Sequence, residues 1–193
     1  YKFNKIFIFN SSLRFKLIAK LAKIKEIYQY PLFKKNNQHI IQAAKDLIKN
    51  SLGLDVTNSP QIQVDNDLIK KAIFKFHINN NELNILFGIG GSGPTKRIPS
   101  KTFLSVIKKI DKIKKCKFFL ATGKKDEEQK ILNEIMNSKF KEKCIPLDNL
   151  SIAETLPVIK NCNISICNDS SFSHLSSAFE FSSVTAFRPG SLS

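Results

Sequence analysis

Two stretches of this 193-residue chain combine backbone freedom with charge in a way that suits an anionic ligand. In the first, covering 88–99, Gly88, Gly90, Gly91 and Gly93 place four glycines within six residues. Such a backbone turns tightly and brings its amides close to a ligand. Thr95 adds a hydroxyl, while Lys96 and Arg97 add positive charge. The set fits a diphosphate, and a Gly-rich turn followed by an exposed basic pair is the simpler alternative. The spacing matches neither the dinucleotide fingerprint nor the Walker loop.

The second stretch is Asn168, Asp169, Ser170 and Ser171, with His174 three residues further on. It falls where a predicted strand gives way to a helix, a position whose first amides and dipole favour phosphate. Asp169 can contact a ligand or simply cap the helix. Asn168 can be turn chemistry, and His174 can face the ligand or pack as a core histidine.

Other chemistry is poorly served. There is no G-x-S-x-G elbow, no H-E-x-x-H and no carboxylate pair with an evident acid–base role. Asp126, Glu127 and Glu128 read as an acidic helix start favoured by the helix dipole. The Lys-rich run 108–117 alternates with Ile110, Ile113 and Cys116, the pattern of a solvated helix face. Cys116, Cys144, Cys162 and Cys167 form no CxxC pair, and His39, His77 and His174 are far apart, so no metal site and no cofactor is expected. Buried, reduced thiols in a cytosolic chain are the reading.

The elements that must position these loops follow from periodicity and punctuation. A strand at 5–9 precedes a helix capped by Ser11 or Ser12, with Leu13, Leu17, Ile18 and Leu21 spaced for one buried face. A strand at 27–30 stops at Pro31, and 36–50 has helical spacing. The segment 51–64 reads as connecting, 67–76 as a helix, and Asn79, Asn80 and Asn81 as a turn or compositional bias. From 84 onward strands and helices alternate. Strands are expected at 84–87, 117–121, 144–146, 163–167 and 183–187. Helices are expected at 101–110 (with Ser100 as cap), 126–136, 151–159 (with Ser151 and Glu154 at capping-box spacing) and 172–179. Connections too long for hairpins imply parallel strands, hence a doubly wound α/β sheet with its ligand crevice beyond the carboxyl ends of the strands.

The charge of +15 invites a nucleic-acid reading, but 28 of the 31 basic residues are lysine and only Arg14, Arg97 and Arg188 are arginine. Arginine dominates bidentate recognition of bases and phosphates, so a basic nucleic-acid-binding α/β module is the weaker alternative and no nucleic-acid partner is expected. No apolar run reaches the ~18 residues of a membrane span. The start shows no signal-peptide pattern, and the only Met is Met136, which suggests a longer natural chain.

Taken together, the motifs resemble those of the glycosyltransferase family typified by ADP-heptose:lipopolysaccharide heptosyltransferases, family 9. The family pattern N-P-G-a-x-x-P-T-K-R-W-P appears as Pro94, Thr95, Lys96, Arg97, Ile98 and Pro99 in register. Its G-x-x-x-E appears as Gly123 followed by Asp126 and Glu127. Its N-D-T-G-x-x-H segment appears as Asn168, Asp169, Ser170, Ser171 and His174, with Ala178, Phe187 and Pro189 beyond. Ser12, Leu13 and Arg14 give a weaker echo nearer the start. Departures are Gly88 and Ile89 for Asn-Pro, Ser170 and Ser171 for Thr-Gly, and Arg188 between Phe187 and Pro189 where relatives have glycine.

The resemblance implies a GT-B type α/β fold of two Rossmann-like domains. A partial acceptor-side domain is expected at 1–65, a connecting segment at 66–82, and most of a nucleotide-sugar-binding domain at 83–193. It implies inverting transfer of a sugar, heptose foremost, from a nucleotide-sugar donor such as ADP-heptose to a hydroxyl of the lipopolysaccharide core. Gly90, Gly91, Thr95, Lys96 and Arg97 would hold the donor diphosphate, with Arg188 a further phosphate contact. Asp169, Ser170, Ser171 and His174 would position the sugar or phosphate, and the general base is expected upstream of Tyr1. A cytoplasmic protein, peripheral on the anionic inner membrane, goes with that activity. A divergent relative that binds nucleotide without transferring sugar is the other alternative.

Overall fold

The computed structural model describes residues 2–31, 39–57, 60–91, 93 and 97–186. The chain divides into two compact units, Tyr1–Pro60 and Gln61–Ser193.

In the first unit, strands β1 (Lys5–Ile8) and β2 (Glu26–Gln29) pair in parallel around helix α1 (Leu13–Leu21), and helix α2 (Ile40–Leu52) follows. The Gln29 amide donates to the carbonyls of Asn10 and Ser12, both at 2.8 Å, and so fixes the turn into α1. Helix α2 ends at Gly53, whose φ of 68° is the left-handed stop that glycine adopts without strain. The expected start of α2 at 36–38 lies outside the described residues. The apolar face expected of α1 is not buried: Leu13, Leu17, Ile18 and Leu21 are all exposed, and only Ala19 is covered. Two four-residue strands offer too little sheet to cover that helix.

The second unit is built on a five-stranded, all-parallel sheet in the order β5-β4-β3-β6-β7. Its strands are β3 (Leu83–Gly88), β4 (Cys116–Ala121), β5 (Cys144–Pro146), β6 (Ile164–Asn168) and β7 (Ser182–Ala186). Helices α3 (Asn66–Lys75), α4 (Ser100–Asp111), α5 (Asp126–Met136), α6 (Ile152–Lys160) and α7 (Ser171–Ala178) cover it. Strand alternation divides the core between two faces. Ile85, Phe87, Phe118 and Leu120 meet Phe103 and Ile107 of α4 and Leu132 and Ile135 of α5. Leu86, Phe119 and Cys167 meet Ala72 of α3, Val158 and Ile159 of α6, and Phe172 of α7. Helices on both faces make this a doubly wound fold.

Several local expectations change. The segment 66–82 does more than connect, because α3 packs on α6 and belongs to the second unit. Pro99, with extended backbone, takes the cap position of α4, and the Ser100 hydroxyl instead donates to Glu134. The asparagine run is a turn, with the Asn81 N–H donating to Asn79 Oδ1 at 2.9 Å and the Glu82 N–H to the Asn79 carbonyl at 3.1 Å. The Ser151–Glu154 capping box forms as its spacing predicts. Among the described residues no helix is long and apolar enough to cross a membrane, and no cluster of His, Cys, Asp or Glu could hold a metal ion.

Strand order reverses direction between β3 and β6, the neighbours at the centre of the sheet. Ligand crevices in such sheets lie at this point, beyond the carboxyl ends of the strands. There Gly88 sits opposite Cys167, and a Cβ on Gly88 would lie 2.7 Å from the Cys167 Sγ and 2.9 Å from its Cβ. Cys167 is wholly buried and has nowhere to move. Gly88→Ala is therefore expected to destabilise the protein by about 1–3 kcal/mol through overpacking. A urea-unfolding midpoint equal to that of the parent chain would contradict this. All four thiols are free and buried. Burial pushes the Cys144 thiol up to about 12 and raises those of Cys116, Cys162 and Cys167 as well. At pH 8 the folded protein should leave all four unmodified by a thiol-selective disulfide reagent, whereas four should react in denaturant.

Candidate functional site

The carboxyl ends of β3, β4, β5 and β6 open into a crevice of about 780 Å³. Its lining mixes backbone glycines (Gly90, Gly91, Gly123) and hydroxyl residues (Thr122, Ser170) with an apolar floor that includes Leu147 and Phe172.

Asn168, the last residue of β6, ties together the two ends of the glycine-rich loop. Its side chain is completely buried. Nδ2 donates to the Ile89 carbonyl, and Oδ1 accepts from the Ile98 N–H at 2.8 Å. One amide thus holds the entrance and the exit of the loop after β3. Within the loop the Gly91 N–H donates to Glu128 Oε1 at 3.1 Å, and the Gly91 carbonyl accepts from Arg97 Nε at 3.3 Å. Arg97 Nη2 also lies 3.3 Å from Glu127 Oε2, and the arginine side chain is only 11% exposed. Arg97, expected on the donor diphosphate, binds the protein's own loop through Nε. Gly91 likewise directs its amide at a carboxylate. Gly90 lies on the crevice wall, where an added Cβ would meet Phe172 and Glu128 only at ordinary contact distance. Thr95, Lys96 and Arg188 lie outside the described residues.

The second motif comes together at the same crevice, which Asp169, Ser170, Ser171 and His174 all line. Ser170, not Asp169, is the N-cap of α7, because its φ of −151° and ψ of 175° are extended while Ser171 is already helical. The Ser170 hydroxyl makes no capping bond; it is buried and has no hydrogen-bond partner among the described residues. The same holds for Thr122 Oγ1 on the wall after β4. His174 is exposed, which removes the core-histidine alternative.

Helix ends complete the site. Helix α6 closes its own N-terminus with the Ser151–Glu154 box, whereas α5 and α7 begin at Lys125 and Ser170 with no side-chain cap. Both of those residues line the crevice. The first turn of α5 carries Asp126, Glu127 and Glu128, whose carboxylates answer its dipole, whereas α7 has no acidic residue in its first turn and presents partial positive charge to the wall. Lys124 also lines it and ties the loop after β4 to the loop after β5 through Asp148 Oδ2 at 3.4 Å and Asn149 Oδ1 at 2.8 Å. The arrangement can hold a ligand with an anionic centre, hydroxyl groups and an apolar portion.

Sequence reasoning did not find Glu128, which it assigned to an acidic helix start, or Thr122. A signal existed for Glu128: it sits three residues after a lysine at the cap position, so no capping box could employ its carboxylate. Thr122 carries no such signal.

The family model for glycosyltransferase family 9 (heptosyltransferase) matches residues 24–192. No curated protein matches the chain at the sequence level. Among solved structures, E. coli ADP-heptose LPS heptosyltransferase II is 18% identical with a TM-score of 0.70, covering 94% of this chain and 62% of that one. A family 9 glycosyl transferase from Veillonella parvula DSM 2008 is 15% identical with a TM-score of 0.76, covering 96% and 57%. E. coli heptosyltransferase WaaC with ADP-2-deoxy-2-fluoro heptose is 14% identical with a TM-score of 0.66, covering 98% and 62%. The chain thus spans about three fifths of the length of these proteins, and at such identities the likeness speaks to fold: a partial GT-B type architecture. The match over nearly the whole chain, with both motif-bearing loops inside it, makes this protein a member of glycosyltransferase family 9, the heptosyltransferase family.

Proposed function

We propose that the second unit binds a nucleotide-sugar donor in this crevice, as its part in moving a sugar to an acceptor hydroxyl. The observation that carries the reading is the meeting, in one crevice, of the uncapped start of α7 with the Ser170 and Thr122 hydroxyls, which are buried and have no hydrogen-bond partner among the described residues. Anions are favoured at helix N-termini, and a sugar or ribose can satisfy orphaned hydroxyls.

In this reading the donor is ADP-heptose or a close analogue, and the acceptor is a hydroxyl of the lipopolysaccharide inner core. Transfer proceeds with inversion. The second unit, Gln61–Ser193, is the donor side and the first, Tyr1–Pro60, the acceptor side. Lys96 and Thr95 take the diphosphate, and Lys96 promotes reaction to the extent that it binds the departing nucleoside diphosphate more strongly as charge develops there. Asp169 and His174 position the sugar. Arg97 and Asn168 act one step back by holding Gly91, Ile89 and Ile98 in place. The reaction belongs on the cytoplasmic face of an inner membrane, whose anionic surface the charge of +15 favours.

Calorimetric titration with ADP-heptose, a UDP-sugar and a GDP-sugar tests the reading. One donor should bind saturably. Lys96→Ala should weaken it about tenfold or more, the worth of a charge-assisted contact. Asn168→Ala should weaken it as well. Absence of binding by every donor contradicts the reading. Binding without transfer to a core acceptor leaves a nucleotide-binding relative that is not a transferase.

A further inference from the structure

Glu128 is 95% buried yet takes no part in capping its own helix. A carboxylate taken out of water is tolerated only where hydrogen bonds or charges replace its hydration. Here the replacements come from two different loops: the Gly91 N–H at 3.1 Å on Oε1 and the Gly123 N–H at 3.0 Å on Oε2. Each of these glycines is also held at its carbonyl. Arg97 Nε binds the Gly91 carbonyl at 3.3 Å, and Gln129 Nε2 binds the Gly123 carbonyl at 2.7 Å. Arg97 is in turn paired with Glu127, the residue before Glu128. The close approach also sets a residue requirement, since a Cβ on Gly123 would stand 2.6 Å from Glu128 Oε2.

We infer that Glu128 is a positioning residue: its one carboxylate braces the loops after β3 and β4 against each other and sets the mouth of the crevice before the donor arrives. The inference rests on the donor reading for its functional consequence, though the brace itself does not. With the Gly91 N–H committed to Glu128, this amide is closed to phosphate, and the donor's anion must be met by other groups of the crevice. A carboxylate that merely occupied the phosphate position would behave in the opposite way, because its removal would free the amides and tighten anion binding.

Two measurements on the full chain decide the matter. The first is hydrogen exchange in the peptides containing Gly91 and Gly123. The second is calorimetric titration with ADP, UDP and GDP. Glu128→Gln keeps one acceptor oxygen and should loosen one loop more than the other. Glu128→Ala should loosen both, with exchange about tenfold faster and the β3 and β4 core unchanged. The affinity for the preferred nucleoside diphosphate should fall about tenfold in Glu128→Gln. Should Glu128→Ala fail to fold, Glu128→Gln carries the test alone. Unaltered exchange in both peptides, or a gain in nucleotide affinity, overturns the inference. Loosened loops in a protein whose parent binds none of the three nucleotides leave the brace standing and remove the donor reading instead.

Discussion

The parallel pairing of β3 with β6 brings Gly88 beside Cys167, and from that contact the rest of the site follows. Because these two strands lie at the reversal of the strand order, the chain leaves them on opposite sides and a crevice opens between the departing loops. Asn168 then converts proximity into shape. Its buried amide spans the carbonyl of Ile89, a wholly buried residue, and the N–H of the partly buried Ile98. A buried polar group left unpaired costs about 1–3 kcal/mol. Against a total stability of roughly 5–15 kcal/mol, an unpaired Ile89 carbonyl alone would be a serious loss, so Asn168 holds Ile89 and Ile98 at the two ends of the loop.

The two units are built to different standards. In the second, Ile85, Leu86 and Phe87 are consecutive and completely buried, because helices cover both faces of the sheet. In the first, a two-stranded sheet leaves most of the apolar residues of α1 in solvent. The crevice therefore rests on a rigid platform, and the precision of its loops comes from Asn168, Glu128 and Arg97 acting on backbone groups. None of these three needs to touch a ligand to shape the site.

How much was legible in the sequence depended on the range of the interaction. Local signals read well: helix α5 at Asp126–Met136 and strand β5 at Cys144–Pro146 have the expected bounds, and the capping box of α6 formed as spaced. Alternating strands and helices also announced the parallel sheet. Both crevice loops could be singled out because glycine clusters and strand-to-helix junctions are sequence features. The roles inside them could not. The place of the Arg97 guanidinium beside Gly91 and Glu127 is a tertiary fact about residues up to thirty positions apart. Asn168 looked like turn chemistry for the same reason, since its partners lie seventy or more residues away. The misread face of α1 was a failure of another sort: periodicity gives a helix an apolar side, and only the neighbouring elements decide whether it is covered.

The central claim is that a nucleotide-sugar donor sits beyond the carboxyl ends of β3 and β6. The most direct measurement is an amide chemical-shift map of the isotopically labelled chain titrated with ADP-heptose. The account predicts saturable shifts at Gly90, Thr122, Ser171 and Phe172, with little change at the opposite ends of the strands near Leu83 and Ile164. Shifts confined to that opposite edge or to the first unit, or none at all with ADP-, UDP- and GDP-sugars, would contradict it.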